Sequence, residues 1–471
     1  MTSEMRRQAS FGRIKNVHMV GIGGIGMSSI AEVLLARGYR VSGSDLQTNS
    51  VTERLESIGA TVHEGHAAEH VADADVVVYS SAVKAGQNPE TQEAERRRIP
   101  LIRRAEMLGE LMRAKYGVGI AGTHGKTTTT SMTGLVVQEG GFDPTIIVGG
   151  KVAVFDSNAV SGEGDIIIIE ADEYDRTFLR LTPVLSVITN IEADHLDIYH
   201  DLDDLKEAFV QFANSVPFFG AAILCLDDDT VREVIGDVQR RVITYGTTRQ
   251  AQIRAEGLVQ EGTLTRFGVM REATLLGDIT LHAPGLHNVR NALAAVAVGL
   301  ELDIPFEKIQ SALAAFTGVD RRFQIKGQVG GVLVIDDYAH HPTEIEATLD
   351  AASNGWSDRR IVAVFQPHLY SRTRDFQDGF ARAFYDADVL VVTEIYGARE
   401  QPIAGVSGRM LADLTSRYGH RDVRFVGDKD DVPPYLLDVT RPGDLVLTMG
   451  AGDVYKCGER FLDLLNERED S

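Results

Sequence analysis

Residues Gly122-Thr-His-Gly-Lys-Thr-Thr-Thr-Thr130 decide how this chain is read. They follow an apolar run, Tyr116-Gly-Val-Gly-Ile-Ala121, composed like a buried strand, and precede Ser131-Met-Thr-Gly-Leu-Val-Val-Gln138, patterned like a helix. A strand, a glycine turn and a helix N-terminus aim several backbone N–H groups, and the positive end of the helix dipole, at one point that favours an anion. In such a loop Lys126 reaches the β- and γ-phosphates of a nucleoside triphosphate and the Thr127 hydroxyl ligates magnesium. Ile120 stands where the strict pattern has its first glycine. Taken alone, the segment also reads as a glycine-rich strand-to-helix turn without a ligand.

Two more apolar strands with polar ends flank this loop in the sequence. Asp165-Ile-Ile-Ile-Ile-Glu170 runs into Asp172, Glu173 and Asp175, and Val184-Leu-Ser-Val-Ile-Thr-Asn190 runs into Glu192, Asp194 and His195. Ligands of open α/β sheets sit beyond the carboxyl ends of the strands, so Glu170 beside a phosphate loop is a natural oxygen ligand for magnesium. A solvated acidic turn is the bland alternative for Glu170 and its acidic neighbours; His195 is a candidate for a second metal or a phosphate, with a structural histidine as its alternative.

Upstream, Gly21-Ile-Gly-Gly-Ile-Gly26 has the spacing of a dinucleotide fingerprint. It lies between the strand Asn16–Val20 and a helix pattern at Ser28–Arg37, with Asp45 closing the next strand. Read literally it binds NAD, but such a loop reads phosphate, so any nucleoside diphosphate suits it. Downstream, Asp336-Asp-Tyr-Ala-His-His-Pro342, Phe365-Gln-Pro-His368 with Arg372 and Arg374, and Gly450-Ala-Gly-Asp453 close three further strands. Together they suggest a second substrate surface, where an arginine fork can clamp a carboxylate. Alternating strand and helix patterns throughout point to parallel sheets in an α/β fold. Residues 251–283 read instead as β-hairpins.

The composition narrows the function classes. At 471 residues the chain suggests about three domains. A hydrophobic content of 44%, with no apolar run near the roughly 20 residues needed to span a bilayer, argues against a membrane protein. Two cysteines, Cys225 and Cys457, are too few for a disulfide framework, and with no secretory pattern at the N-terminus a cytoplasmic location is expected. The formal charge of −21 argues against a nucleic-acid partner. Only 10 of the 47 basic residues are lysine, and this acid-rich, lysine-poor balance is the one expected of a protein that works in high salt, where repulsion is screened.

Taken in order along the whole chain, these segments resemble the Mur ligase family, the ATP-dependent amide-forming enzymes of peptidoglycan precursor synthesis. The resemblance rests on Gly122-Thr-His-Gly-Lys-Thr-Thr128, Glu170-Ala-Asp-Glu-Tyr-Asp175, Thr189-Asn-Ile-Glu-Ala-Asp-His195, His287-Asn-Val-Arg-Asn291, Asp320-Arg-Arg-Phe323, Asp337-Tyr-Ala-His-His-Pro342 and Gly450-Ala-Gly-Asp453. It implies an N-terminal Rossmann-like UDP-binding domain at 1–107, a central P-loop ATPase domain at 108–318 and a C-terminal Rossmann-like domain at 319–471. The N-terminal glycine loop is thereby reassigned from NAD to a UDP-sugar, with Gly21, Gly23, Gly24, Gly26, Met27, Asp45, His66, Ser80 and Ser81 as its expected contacts.

By the same resemblance ATP is held by Gly122, Thr123, His124, Gly125, Lys126, Thr127 and Thr128, with Asn291, Arg322 and Asp337. Mg²⁺, or Mn²⁺, sits on Thr127, Glu170 and His195. Lys126, Glu170, His195 and His341 carry the chemistry, and Tyr338, His340, Arg372 and Arg374 take the acceptor amino acid. The loop Gly21–Met27 is similar to that of the members that join L-alanine to UDP-N-acetylmuramate through an acyl phosphate. That activity implies UDP-N-acetylmuramate, L-alanine and ATP as partners of a monomer or a homodimer whose C-terminal domain closes over the site. Tyr174 stands where those members often have a small residue, and there the chain resembles the member that recycles a tripeptide; Leu369 stands where many relatives have an arginine. The recycling activity is the near alternative. An NAD-dependent oxidoreductase or a non-catalytic scaffold would leave the Gly-Lys-Thr and acidic strand ends unexplained.

Overall fold

Three β-sheets, each covered by helices, carry the segments singled out above. In the computed structural model the residues described are 11–152, 157–193, 198–398 and 400–469. By contact density they fall into two compact units, one of residues 1–256, 268–279 and 290–316 and the other of residues 257–267, 280–289 and 317–471.

The first sheet comprises β1 (Asn16–Val20), β2 (Arg40–Asp45), β3 (Thr61–Glu64), β4 (Val76–Tyr79) and β5 (Leu101–Arg103). Its order is β3-β2-β1-β4-β5, and every pairing is parallel. The chain leaves β1 toward β2 on one side and later returns to β4 on the other. The glycine loop after β1 therefore sits where the strand order reverses, the place such sheets use for ligands. The helix expected from Ser28 begins earlier, at Ile25, and runs to Ala36. Met27, Ile30, Ala31, Val33 and Leu34 bury its apolar face.

The second sheet has the order β15-β14-β13-β12-β11-β10-β6-β9-β7-β8. Its strands are β6 (Tyr116–Ala121), β7 (Thr145–Val152), β8 (Ser157–Val160), β9 (Ile166–Glu170), β10 (Leu185–Ile188), β11 (Ala221–Cys225), β12 (Val242–Gly246), β13 (Ile253–Glu261), β14 (Leu264–Arg271) and β15 (Thr274–Leu281). The last three are the segment read as hairpins. Strands β10, β6 and β9 are adjacent and parallel, so three separate polar strand ends come to one edge. All four isoleucines of β9 are buried, as expected of a strand covered on both faces. Phe178 stacks on Phe212 with ring centroids 5.1 Å apart and meets Phe209 edge-on at 5.2 Å.

The third sheet, in the second unit, comprises β16 (Gln324–Val329), β17 (Val332–Asp337), β18 (Ile361–Phe365), β19 (Val389–Val392), β20 (Val423–Phe425) and β21 (Leu445–Met449). Its order is β16-β17-β21-β18-β19-β20, with β16 an antiparallel edge. One core, with Ile345, Leu349, Phe380 and Phe384, packs on one face, and another, with Val432, Leu436 and Phe461, packs on the opposite face. Among the described residues no helix is long and apolar enough to cross a membrane.

Candidate active site

The phosphate loop is built by β6 and the helix Lys126–Glu139 and is braced by the end of β10. Gly122 and Gly125 have φ of +139° and +81°, which side chains rarely adopt. A Cβ on Gly122 would also lie 1.9 Å from Thr189 Oγ1. The His124 N–H donates to Asn190 Oδ1 (2.8 Å), and the His124 carbonyl accepts from Thr189 Oγ1 (2.6 Å) and Asn190 Nδ2 (3.0 Å). Thr123 Oγ1 accepts from the Glu192 N–H at 2.9 Å. Asn291 closes the other side: a Cβ on Gly125 would meet its Oδ1 at 2.6 Å, and Thr129 Oγ1 donates to that oxygen at 3.0 Å. Ile120, in place of the first glycine, is fully buried in β6, a position filled by packing with no demand for a special backbone. Thr128 is also buried, in the first turn of the helix.

Two side-chain pairs define the chemistry here. Lys126 Nζ donates to the carbonyls of Gly122 (2.7 Å) and Thr123 (3.1 Å) and to both Glu173 carboxylate oxygens (2.9 and 2.7 Å). Desolvation alone would lower the Lys126 pKa, but Glu173 and Asp172 outweigh it and raise it, so the ammonium stays charged. Burial pushes the Glu173 carboxyl up to about 7 against the pull of Lys126. In the second pair Thr127 Oγ1 donates to Glu170 Oε1 at 3.0 Å, while Glu170 Oε2 accepts from the Gly149 N–H at 2.7 Å. Burial raises the Glu170 pKa as well. A hydroxyl and a carboxylate oxygen this close are a hard-cation donor pair, because a cation displacing the hydroxyl proton contact finds two oxygens already converged. His195, expected with them, lies outside the described residues.

In the first sheet the Ser44 carbonyl accepts from the N–H groups of Gly21 (2.8 Å) and Ile22 (3.0 Å). Asp45 Oδ2 accepts from the Gly23 N–H at 2.8 Å. Gly23 has no room for a Cβ, which would fall 2.9 Å from Asp45 Oδ2, and a Cβ on Gly26 would meet Arg104 Nη1 at 2.7 Å. Gly24 ends the loop by accepting from the backbone of Met27 and Ser28. The Met27 side chain is in the core, so it offers a ligand only its main chain. Ser80 backs Gly21, and Ser81 is exposed. His66 faces inward, with Nδ1 3.0 Å from both Ser44 Oγ and Glu90 Oε2.

The second unit gathers its own polar edge where β17, β21 and β18 end side by side. Arg321, at φ +59°, donates to Asp336 Oδ2 (3.1 Å) and to the carbonyls of Gly452 (2.9 Å) and Gly450 (2.6 Å). Its guanidinium lies between the Tyr338 and Tyr455 rings. The neighbour Arg322 approaches Glu344 Oε1 at 3.5 Å. Asp337 accepts from the Phe323 and Ala339 N–H groups, both at 2.8 Å, and burial raises its pKa to about 6. Burial drives the His340 pKa down to about 3, so the ring is neutral at pH 7. Its Nδ1 lies 3.0 Å from the Tyr338 carbonyl, a contact that assigns the proton to Nδ1 and leaves Nε2 as an acceptor.

His341, buried at the start of the helix Pro342–Gly355, packs edge-on against Phe376. Arg372 is buried near His368, whereas Arg374 is half exposed and forks onto Asp375 at 2.7 and 3.1 Å. Glu173, Asn190 and Arg321 were not among the expected site residues. Glu173 and Asn190 stood inside quoted motifs, but nothing in their spacing said which acid meets the lysine or which amide braces the loop.

A glycine loop between a strand and a helix N-terminus, at the edge of a largely parallel sheet, marks the class of α/β proteins that bind nucleotide phosphates. Family models match the chain in three consecutive blocks: the Mur ligase family catalytic domain at residues 16–116, the Mur ligase middle domain at 120–299 and the Mur ligase glutamate ligase domain at 321–452. A UDP-N-acetylmuramate–L-alanine ligase of Salinibacter ruber is 66% identical over 463 residues, covering 98% of each chain. The chain therefore belongs to the Mur ligase family. Among solved structures, the UDP-N-acetylmuramate–alanine ligase of Thermotoga maritima superposes with a TM-score of 0.78 at 29% identity, covering 96% of this chain and 99% of that one. A murein peptide ligase of Psychrobacter arcticus gives 0.68 at 26% identity, covering 96% and 98%.

Proposed function

We propose that this enzyme joins L-alanine to the lactyl carboxylate of UDP-N-acetylmuramate at the expense of ATP, a step of peptidoglycan precursor synthesis. The observation that carries the reaction type is the Lys126–Thr127 loop with Glu170 and Glu173 set against it. The acceptor is supported by the 66% identity over nearly the full length to an alanine-adding ligase, against 26% to the murein peptide ligase structure.

The γ-phosphate of ATP passes to the lactyl carboxylate, giving an acyl phosphate and ADP. The deprotonated alanine amine then attacks the acyl carbon, and inorganic phosphate leaves through a tetrahedral intermediate, carrying away the proton that the amine gives up. Lys126 stabilises the charge that gathers on the transferring oxygens. Its ammonium, now shared between two loop carbonyls and Glu173, must give part of that contact to phosphate. Thr127 and Glu170 would hold Mg²⁺ or Mn²⁺, with His195 in the same expected role. When bound, the metal neutralises phosphate charge.

Asn291 presses on the loop beside Gly125 and belongs to the expected adenine segment. In the second unit neutral His340, too weak a base to take the proton, is suited to orient the acceptor amine by accepting a hydrogen bond at Nε2, and buried Arg372 to hold the amino-acid carboxylate. The proposed division into 1–107, 108–318 and 319–471 is supported by one sheet falling in each interval. The test is phosphate release from ATP with UDP-N-acetylmuramate and magnesium, comparing L-alanine, the L-Ala-γ-D-Glu-diaminopimelate tripeptide and no acceptor. Release with L-alanine alone is expected. Release with the tripeptide alone moves the assignment to recycling, and release with neither removes the ligase reading.

A further inference from the structure

We propose that Glu90 is a positioning residue for the UDP-sugar, acting through Ser44 on the glycine loop, an inference that rests on the nucleotide-sugar reading of the first domain. Glu90 enters the helix Pro89–Arg97 in its first turn, and the Asn88 side chain caps that turn by accepting from the Glu90 N–H at 2.9 Å. Its side chain is fully buried. Four segments converge on the one carboxylate. Ser44, in β2, donates from Oγ to Oε2 at 2.7 Å, and His66, after β3, places Nδ1 3.0 Å from the same oxygen. His70, in the turn Ala68–Val71, places Nδ1 2.7 Å from Oε1, and His18, in β1, has Nε2 at 3.5 Å.

A buried carboxylate is a costly way to fill a core, and apolar side chains of like volume often stabilise a fold more. Its value here is in what it holds still. The Ser44 carbonyl carries the N–H groups of Gly21 and Ile22, and the next residue, Asp45, carries that of Gly23. Three consecutive loop amides therefore hang on the end of β2, and the side chain that pins this end is tied to Glu90. The helix that follows the loop begins at Ile25, so the same anchor sets where its N-terminal amides point. Glu90 does not touch the loop itself. A shift of β2 by a fraction of an ångström would spread through Ser44 and Asp45 to the loop and on to the helix N-terminus at Ile25 that faces the diphosphate, because the tight contacts at Gly23 leave no slack.

The experiment uses the full chain and three variants, Ser44→Ala, Glu90→Gln and the double. UDP affinity is read by calorimetry, and KM for UDP-N-acetylmuramate, ATP and L-alanine by phosphate release, beside a melting curve. Each single variant is expected to weaken UDP binding and raise KM for the UDP-sugar by about tenfold, the factor that losing one charged hydrogen bond gives. KM for ATP and kcat should stay within about twofold, and the double variant should be no worse than Glu90→Gln, since both lie on one line of contacts. Unchanged UDP affinity in both single variants overturns the inference, as does a parallel shift of all three KM values with the melting point. Should Glu90→Gln fail to fold, Ser44→Ala decides alone, because it leaves both close histidine contacts of the carboxylate in place. A parent protein that binds no UDP removes the nucleotide-sugar reading itself, whatever the variants do.

Discussion

Replacing Lys126 by methionine should make the stability of the first unit newly sensitive to alkaline pH, and the size of the effect follows from Glu173. That side chain is 2% exposed and the lysine 13%, so solvent screens their pairing little. With Lys126 present, burial holds the Glu173 pKa at about 7, above its ordinary 4.5. Between those values the folded state binds a proton that the unfolded state does not, so stability falls as pH rises. Above about 7 both states are ionised and this contribution levels off.

Methionine removes the one cation that pulls this pKa down, so the carboxyl stays protonated further into the alkaline range and the fall continues. At 1.36 kcal/mol per pH unit, the variant's extra cost from this group is near zero at pH 6, about 1.4 kcal/mol at pH 8 and about 2.7 kcal/mol at pH 9. It is capped near the 3–5 kcal/mol typical of a buried charge left without its partner. The assay is urea unfolding followed by far-UV circular dichroism at pH 6, 7, 8 and 9, for the parent protein, Lys126→Met and Lys126→Met/Glu173→Gln. The double variant should lose the slope, because glutamine cannot ionise. A difference between Lys126→Met and parent that is flat from pH 6 to 9, or a slope that survives in the double variant, would refute the reasoning. Both variants should also lose ATP-dependent ligation.

Glu170→Gln should lower acceptor-dependent phosphate release by at least about a hundredfold, with part of the activity recovered at raised Mg²⁺ or Mn²⁺, since an amide oxygen is a weaker cation ligand beside Thr127. Recovery is read from titrations of each metal. Gly43→Ala should destabilise the first sheet by about 1–3 kcal/mol, because its Cβ would lie 2.6 Å from both the Met19 carbonyl oxygen and Ile22 Cδ1, and the urea midpoint reports it. With a formal charge of −21, the protein should melt higher in molar KCl, where the Debye length is about 3 Å, than in dilute buffer, where it is about 30 Å. Equal melting points would remove the high-salt reading.

Local spacing was enough to place the elements that matter most. Gly122 and Gly125 had to be glycines because of the positive φ the loop imposes, and the four isoleucines of β9 could only be a strand covered on both faces. Hydrophobic period and turn chemistry act over a few residues, so they leave a readable trace. Element ends were less legible. The helix after the glycine loop starts at Ile25, three residues before the expected start at Ser28, because the loop feeds directly into its first turn.

The sequence alone thus determined the phosphate loop, the three α/β blocks and the family resemblance, since those rest on residue type and order. Tertiary structure alone decided which residues meet. Lys126 is 47 positions from Glu173, Thr129 bonds to Asn291, and Glu90 gathers His18, Ser44, His66 and His70 from four segments. No period or motif encodes such meetings. They follow from strand order, which lays β10, β6 and β9 side by side, and from burial, which makes an unpartnered charge costly and so favours pairs such as Lys126 with Glu173.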